Sequence, residues 1–269
     1  MVEPLSDAEV ERYSRQLILR GVGEAGQRLL QQASVLVVGA GALGSPVIAY
    51  LAGAGVGRLT IVDGVAVDVS NLSRQPLHAE AGLGAGKAAS AAATALGINS
   101  AVDVRAERRR LSAGDASAAV AGHDIVCDCT DDFEIKFALN DACLGAAVPL
   151  AHAAVLEFGG QLTTIVPGGP CLRCLFGAPP APGEVPTCAQ AGILGPVAGV
   201  VGAMQANEVL NLILGLGEPL SGRLMIYEGL RPRARIVDFA IDPACPAPHG
   251  ASPGGGIIPG QADAMEERR

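Results

Sequence analysis

Gly39-Ala-Gly41-Ala-Leu-Gly44 follows an apolar, β-branched run (34–38) and opens a second apolar stretch of helical character. In a strand–turn–helix of this kind the glycines let the backbone turn tightly. They also let phosphate oxygens approach the amides at the helix N-terminus. Asp63 stands nineteen residues beyond Gly44, at the end of the next apolar run. A carboxylate there accepts hydrogen bonds from ribose hydroxyls. By themselves these residues form a dinucleotide fingerprint, whose default reading is an NAD-dependent oxidoreductase.

The residues after Asp63 point elsewhere. Asp68-Val-Ser-Asn71-Leu-Ser-Arg74-Gln75 puts side-chain amides and a guanidinium just past the ribose position, and Lys87 follows at the start of a helix. Lys87 and Lys136 are the only two lysines among 19 basic residues. A chain that otherwise uses arginine and keeps Lys87 suggests a need for a compact ammonium on a phosphate. Arg74 and Lys87 together would neutralise a triphosphate, for which a dehydrogenase has no evident use. The run 125–130 ends at Asp131-Asp132. Carboxylates at the C-terminal edge of a parallel sheet lie where ligands bind, and their hard oxygens suit Mg²⁺. The competing role for such acids is to serve a helix N-terminus. A ribose acceptor, two cations and a magnesium carboxylate describe an ATP site.

These residues need a scaffold. Ser6 and Glu9 have capping-box spacing and predict a helix to about Leu19. Strands are expected at 34–38, 59–62, 102–105 and 124–127, and helices near 44–54, 86–97, 112–121 and 132–146. Such alternation predicts a Rossmann-like α/β fold, a doubly wound and mostly parallel sheet. Past residue 150 the pattern changes. Runs at 150–156 and 160–166, and a hairpin pair at 224–227 and 234–239, read as antiparallel strands that extend the same sheet. A Pro-rich loop (177–187) and a helix (196–214) lie between them. The expected organisation is one domain over 1–242, with a helical arm at 5–20, a nucleotide-binding half at 33–150 and a partner-binding half at 151–242. The stretch 243–269, rich in Pro and Gly, reads as possible metal ligands followed by a disordered tail.

Composition narrows the function classes. The chain has 269 residues, 49% hydrophobic and 17% charged, with a net charge of -8. That is a globular composition, and the negative balance argues against a nucleic-acid surface. Arg108-Arg109-Arg110 is too short a basic run to change this. The N-terminal residues carry acids where a secretory signal needs a basic start and an apolar core, so a cytoplasmic, reducing setting is expected. The apolar stretches 33–57 and 193–216 fit strand–turn–helix and a buried helix, and no membrane span is expected.

In order along the chain, RYSRQ (12–16), GAGALG (39–44), VDG (62–64), SNLSRQ (70–75), GAGK (84–87), CTDD (129–132), CLRC (171–174) and TCAQAG (187–192) resemble the ThiF/MoeB/HesA family, relatives of ubiquitin-activating enzymes. The resemblance covers roughly residues 5–245. It implies adenylation of the Gly-Gly C-terminus of a ThiS- or MoaD-like sulfur-carrier protein by Mg²⁺-ATP, in a homodimer supplied by a separate sulfur donor. Carried over by position, Asp63 looks like the ribose binder, Arg74 and Lys87 the phosphate cations, and Asp131 the magnesium ligand. Arg15 looks like an arginine finger given across the dimer interface, a role that its spacing alone does not reveal. Asp132 stands where relatives usually carry Asn.

Cys171-Leu-Arg-Cys174 is a CxxC motif, half of a structural zinc site or a redox pair. Relatives usually supply a second CxxC near the C-terminus. Here the sequence is Cys245-Pro-Ala-Pro-His249, so His249 would complete a Cys₃His zinc site, or the site is lost. Cys188, in a Pro-rich loop ahead of a helix, aligns with a cysteine that some ThiF-like members join covalently to the carrier. Cys127, Cys129 and Cys143 read as core, and His78 and His152 show no partner pattern. Three function classes follow: a sulfur-carrier adenylyltransferase, an NAD-dependent oxidoreductase, or an inactive relative that only binds a partner. Within the first class, the acceptor could instead be a peptide or an RNA nucleoside.

Overall fold

A computed structural model describes residues 4–181, 183–186 and 188–250. Of the stretch 243–269, read as possible metal ligands and a tail, 243–250 is described and 251–269 lies outside the described residues. The chain opens with α1 (Asp7–Leu17), capped reciprocally by Ser6 and Glu9, and α2 (Gly23–Gln32). β1 (Ser34–Val38), α3 (Gly44–Ala54), β2 (Arg58–Val62), α4 (Lys87–Ile98) and β3 (Asp103–Glu107) follow. Then come α5 (Ala116–Val120), β4 (Ile125–Asp128), α6 (Phe133–Ala146), β5 (Leu150–Leu156) and β6 (Gly159–Ile165). The chain continues through α7 (Leu172–Phe176), α8 (Cys188–Ala191) and α9 (Gly195–Leu214) to β7 (Arg223–Glu228) and β8 (Arg233–Asp238).

All strands join one sheet in the order β3-β2-β1-β4-β5-β6-β7-β8. β3 through β5 pair in parallel, and β5 through β8 pair antiparallel. The mixed sheet is the architecture expected from the sequence. β1 shows why the core has two layers. Val35 and Val37 point into a cluster with α2, α3, α4 and α9, whereas Leu36 and Val38 point into one with α5 and α6. A strand buried on both faces needs apolar residues at every position, and β1 has them apart from its buried first residue, Ser34.

Between β1 and β4 the strand order reverses direction. At such a switch point the following helices diverge to opposite faces and leave a crevice at the carboxyl edge of the sheet. Small residues bring α9 close to α3: a Cβ on Gly202 would lie 2.5 Å from Pro46 Cγ. Although α9 is long and apolar enough to cross a bilayer, it is mostly buried within the molecule, against α2, α3 and β4–β6. Three features differ from expectation. α1 ends at Leu17, and α2, an amphipathic helix that packs on α1 and α9, was not anticipated. The expected helix at 112–121 is a 3₁₀ turn (Ala113–Asp115) leading into the short α5.

Candidate functional site

Gly39, Gly41 and Gly44 form the turn from β1 into α3. Gly39 has φ +98°, and a Cβ there would lie 2.6 Å from the carbonyl oxygen of Cys129. Any side chain would therefore be strained twice, by its dihedral and by the neighbouring strand end. A Cβ on Gly44 would collide with the Gly39 carbonyl. Gly41 differs, since its Cβ position meets nothing nearer than Gln75 Nε2 at 3.8 Å, which leaves room beside the turn.

Asp63, at the end of β2, closes this turn from the next strand. Its Oδ2 accepts the Ala40 N–H at 2.9 Å, and its Oδ1 accepts the Val65 N–H at 2.8 Å. Each oxygen keeps a lone pair for a hydroxyl. The Ala40 carbonyl is held as well, 2.8 Å from Nε2 of the buried His78, whose Nδ1 lies 2.9 Å from Ser90 Oγ. Burial lowers the His78 pKa below the ordinary imidazole value, which favours the neutral ring. With Nε2 protonated, that ring donates to Ala40 and accepts from Ser90.

Beyond Asp63 the chain doubles back. Val67 N–H donates to Ala85, Gly84 N–H to Val67 and Lys87 N–H to Val65. This pairing places Lys87, first residue of α4, at the same sheet edge. Lys87 is only 7% exposed. Burial lowers its pKa, Asp63 opposes that shift, and Arg74, Asp131 and Asp68 also act on it. Four residues singled out in the sequence, Asp63, Arg74, Lys87 and Asp131, thus share one electrostatic neighbourhood.

Arg74 Nη1 donates to the Ser70 carbonyl at 2.8 Å. Its loop abuts the start of α9, because a Cβ on Gly195 would lie 2.6 Å from the Ser73 carbonyl oxygen. Asn71 closes a capping box with Asp68. Gln75 is buried, with its Nε2 beside Gly41, and its buried Oε1 has no hydrogen-bond partner among the described residues. Asp131 is exposed at the tip of the β4–α6 turn. Asp132 does not join it. Its Oδ1 accepts the Glu134 and Ile135 N–H groups, so it is the N-cap of α6.

Arg15 lies apart, exposed in the last turn of α1, and is not among the charges acting on Lys87. α1 itself is well anchored. Tyr13 is buried, and its hydroxyl accepts from Asn99 Nδ2 at 2.9 Å. Cys188 begins α8, but its side chain lies outside the described residues.

Sequence reasoning missed a buried cluster under the Asp131 turn. Asp128, at the end of β4, pairs with Lys136 at 3.1 Å and His152 at 2.7 Å. Both of the chain's lysines are therefore buried beneath this edge. The spacing of Asp128 and Lys136 across a strand–helix turn was the available signal. The partnership of His152 needed the β4–β5 register, in which it stands beside Asp128. Cys127, Cys129 and Cys143 are core residues, as expected.

A second site gathers Cys171, Cys174, Cys245 and His249, whose ligand atoms all lie within 4.8 Å of one another. Cys171 Sγ is 3.8 Å from Cys174 Sγ and 3.7 Å from Cys245 Sγ, and Cys174 Sγ is 3.4 Å from His249 Nε2. A tetrahedron with zinc–sulfur bonds of about 2.3 Å has sulfur–sulfur edges of roughly 3.8 Å, which these separations match. His249 Nδ1 lies 2.9 Å from the Gly169 carbonyl. That contact fixes a tautomer with Nε2 free for a metal. Burial pushes the Cys171 thiol up to about 12. At Cys174 burial is outweighed, chiefly by backbone hydrogen bonds around Cys171 and Asp242, and the pKa is lowered. An open groove of ≈ 610 Å³ behind α6, lined by Phe137, Asp141 and Arg173 among others, contains neither site.

One mixed sheet thus carries a glycine turn flanked by Asp63 and Lys87 at its edge and, elsewhere, a Cys₃His cluster. The chain belongs to the ThiF family, whose model matches residues 13–247. It is 44% identical over 246 residues to the SAMP-activating enzyme E1 of Haloferax volcanii, covering 91% of each chain. It is 42% identical over 244 residues to a sulfur carrier protein adenylyltransferase of Thermus thermophilus, covering 88% of this chain and 90% of that one. The adenylyltransferase and sulfurtransferase MOCS3 of Mus musculus is 49% identical over 227 residues; the match covers 84% of this chain but only 49% of that longer protein. Among solved structures, E. coli MccB with MccA-N7isoASN superposes with a TM-score of 0.79 at 22% identity, covering 88% of this chain and 74% of MccB. That likeness concerns the fold.

Proposed function

We infer that the protein uses ATP to adenylate the C-terminal carboxylate of a ubiquitin-like sulfur-carrier protein ending in Gly-Gly, and so prepares it for thiocarboxylate formation. One observation carries this reading. The charges of Asp63, Arg74 and Asp131 all act on the buried Lys87, in a chain related along most of its length to proteins named for carrier activation.

The chemistry is electrostatic. A carboxylate is already a nucleophile, so no general base is required. The barrier comes from bringing it to an anionic phosphate and from the charge that develops on the leaving pyrophosphate. Asp63 holds the ribose, and the Gly39–Gly44 turn admits the phosphates beside Gln75 and Asn71. Lys87 and Arg74 neutralise the phosphates, and Asp131 would hold a magnesium ion, which would supply further neutralisation. Arg15, on a helix packed at the end of α4 opposite Lys87, is the cation given across a homodimer. Downstream, the Cys188 thiolate attacks the acyl-adenylate carbonyl, forming a thioester as AMP leaves; the Cys₃His cluster would hold structural zinc, and a separate protein supplies sulfur.

The test is ATP–pyrophosphate exchange with purified carriers that end in Gly-Gly. Exchange that requires the carrier and Mg²⁺ is the expected result. No exchange with any carrier, together with tight NAD binding, would return the protein to the oxidoreductase reading.

A further inference from the structure

Asp128 occupies an unusual place in the sheet. It is fully buried, and it stands between Val38 of β1 and His152 of β5, at the switch point itself. Its two oxygens have separate partners. Oδ2 accepts from Lys136 Nζ at 3.1 Å and from His152 Nδ1 at 2.7 Å, anchoring the carboxylate from behind. Oδ1 accepts from the Thr130 N–H at 3.0 Å and Thr130 Oγ1 at 2.8 Å, gripping the turn in front. Lys136 is itself pinned, since Nζ also donates to the Ala153 carbonyl at 2.9 Å.

The turn so gripped, 129–132, is the one that carries Asp131. It is held from α9 as well: Gln205 Nε2 donates to the carbonyls of Asp128 and Ala151 at 2.9 and 2.8 Å, and Cys129 Sγ lies 3.5 Å from Gln205 Oε1. A buried ion pair with a satisfied hydrogen-bond shell gives little net stability over an apolar replacement. It does fix geometry. Burial works against the Asp128 charge, but Lys136, His152 and Thr130 outweigh it and hold the carboxyl well below the usual carboxylate range.

We propose that Asp128, locked by Lys136 and His152, is a positioning residue that sets Asp131 through Thr130 for the metal–nucleotide complex. The inference rests on the adenylation reading, and it concerns binding of the magnesium form of ATP specifically. Asp131 is exposed and receives no fixing hydrogen bond of its own among the described residues. Its placement therefore depends on the residues on either side: Thr130, held by Asp128, and Asp132, held as the α6 cap.

The test is calorimetric binding of ATP to the full chain, once with Mg²⁺ and once with EDTA, alongside thermal melting. Asp131→Asn sets the scale by removing the metal-dependent gain. Thr130→Val and Lys136→Met are expected to weaken Mg²⁺-ATP binding about tenfold, the size of one lost charge-assisted hydrogen bond. Binding without metal should stay within about twofold on the same basis. Thr130→Ser and Lys136→Arg should restore the magnesium gain. Thr130 is only half-buried, so the Thr130 pair remains decisive if Lys136→Met does not fold. A folded Thr130→Val that binds Mg²⁺-ATP as the parent does, or that loses both forms alike, overturns the proposal. A parent protein that binds no Mg²⁺-ATP overturns instead the adenylation reading on which it stands.

Discussion

Asp63 and Ala40 are joined across the sheet edge: the carboxylate that ends β2 accepts, at 2.9 Å, the amide of the residue between the first two glycines of the β1–α3 turn. A candidate ligand contact and the shape of the phosphate turn therefore depend on the same side chain. Asp63→Asn keeps an oxygen for one of the two amides and opposes a donor to the other. We expect it to weaken ATP binding about tenfold or more, at the scale of a charged hydrogen bond left unmade. Asp63→Ala should lose more, together with melting temperature. Unchanged nucleotide affinity in Asp63→Ala would remove Asp63 from the site.

Lys87 should give opposite pH trends in binding and in stability. Burial lowers its pKa, so in the folded apo protein it sheds its proton below the pH at which the unfolded chain does. Between those two values the unfolded state binds more protons, and the Lys87 contribution to stability rises with pH. Over the same alkaline window, affinity for ATP should fall as the ammonium is lost. Lys87→Met should abolish both trends. If its melting and binding profiles match those of the parent, Lys87 is not the titrating group.

The Cys₃His cluster predicts one zinc per chain. His249→Ala should reduce zinc affinity at least about tenfold and lower the melting temperature, whereas His249→Cys should retain the metal. Elemental analysis of purified protein decides the matter, and a folded chain without near-stoichiometric zinc contradicts the assignment.

Arg15 is exposed on α1, whose Arg12 and Tyr13 contact Ile98 and Asn99 at the opposite end of α4 from Lys87. If it acts across a dimer, Arg15→Ala should lower pyrophosphate exchange on the order of 10³-fold, as for other arginine fingers. Mixing Arg15→Ala with Lys87→Ala protomers should then recover activity, because one site of each mixed dimer is intact. Failure of the mixture to recover, with mixed dimers demonstrated, argues against a contribution in trans.

Cys188→Ala should leave carrier-dependent exchange unchanged and impair sulfur transfer to the carrier. Loss of exchange itself would contradict that division of labour.

Much of this was legible in the chain. The strands at 34–38 and 150–156 announce themselves as apolar runs between turn residues, and GAGALG fixes where one strand becomes a helix. Asp63, Arg74 and Lys87 were legible because each follows such a landmark at a readable interval. α2 was harder: its apolar residues are few, and its burial depends on α9, far along the chain. Asp128 and His152 meet only through strand register, which no local spacing encodes. Asp132 shows a different limit. The same carboxylate suits a metal or a helix cap, and only the observed amides of Glu134 and Ile135 separate the two.

Both lysines of this chain lie inside it, Lys87 at 7% exposure and Lys136 at 4%. The folded surface consequently offers guanidinium groups, and its one partly reachable ε-amine is that of Lys87 at the crevice. Amine-directed reagents should reach Lys136 only when the molecule opens, so slow labelling there would report unfolding of the sheet edge. Protection of Lys87 would report whatever occupies the crevice.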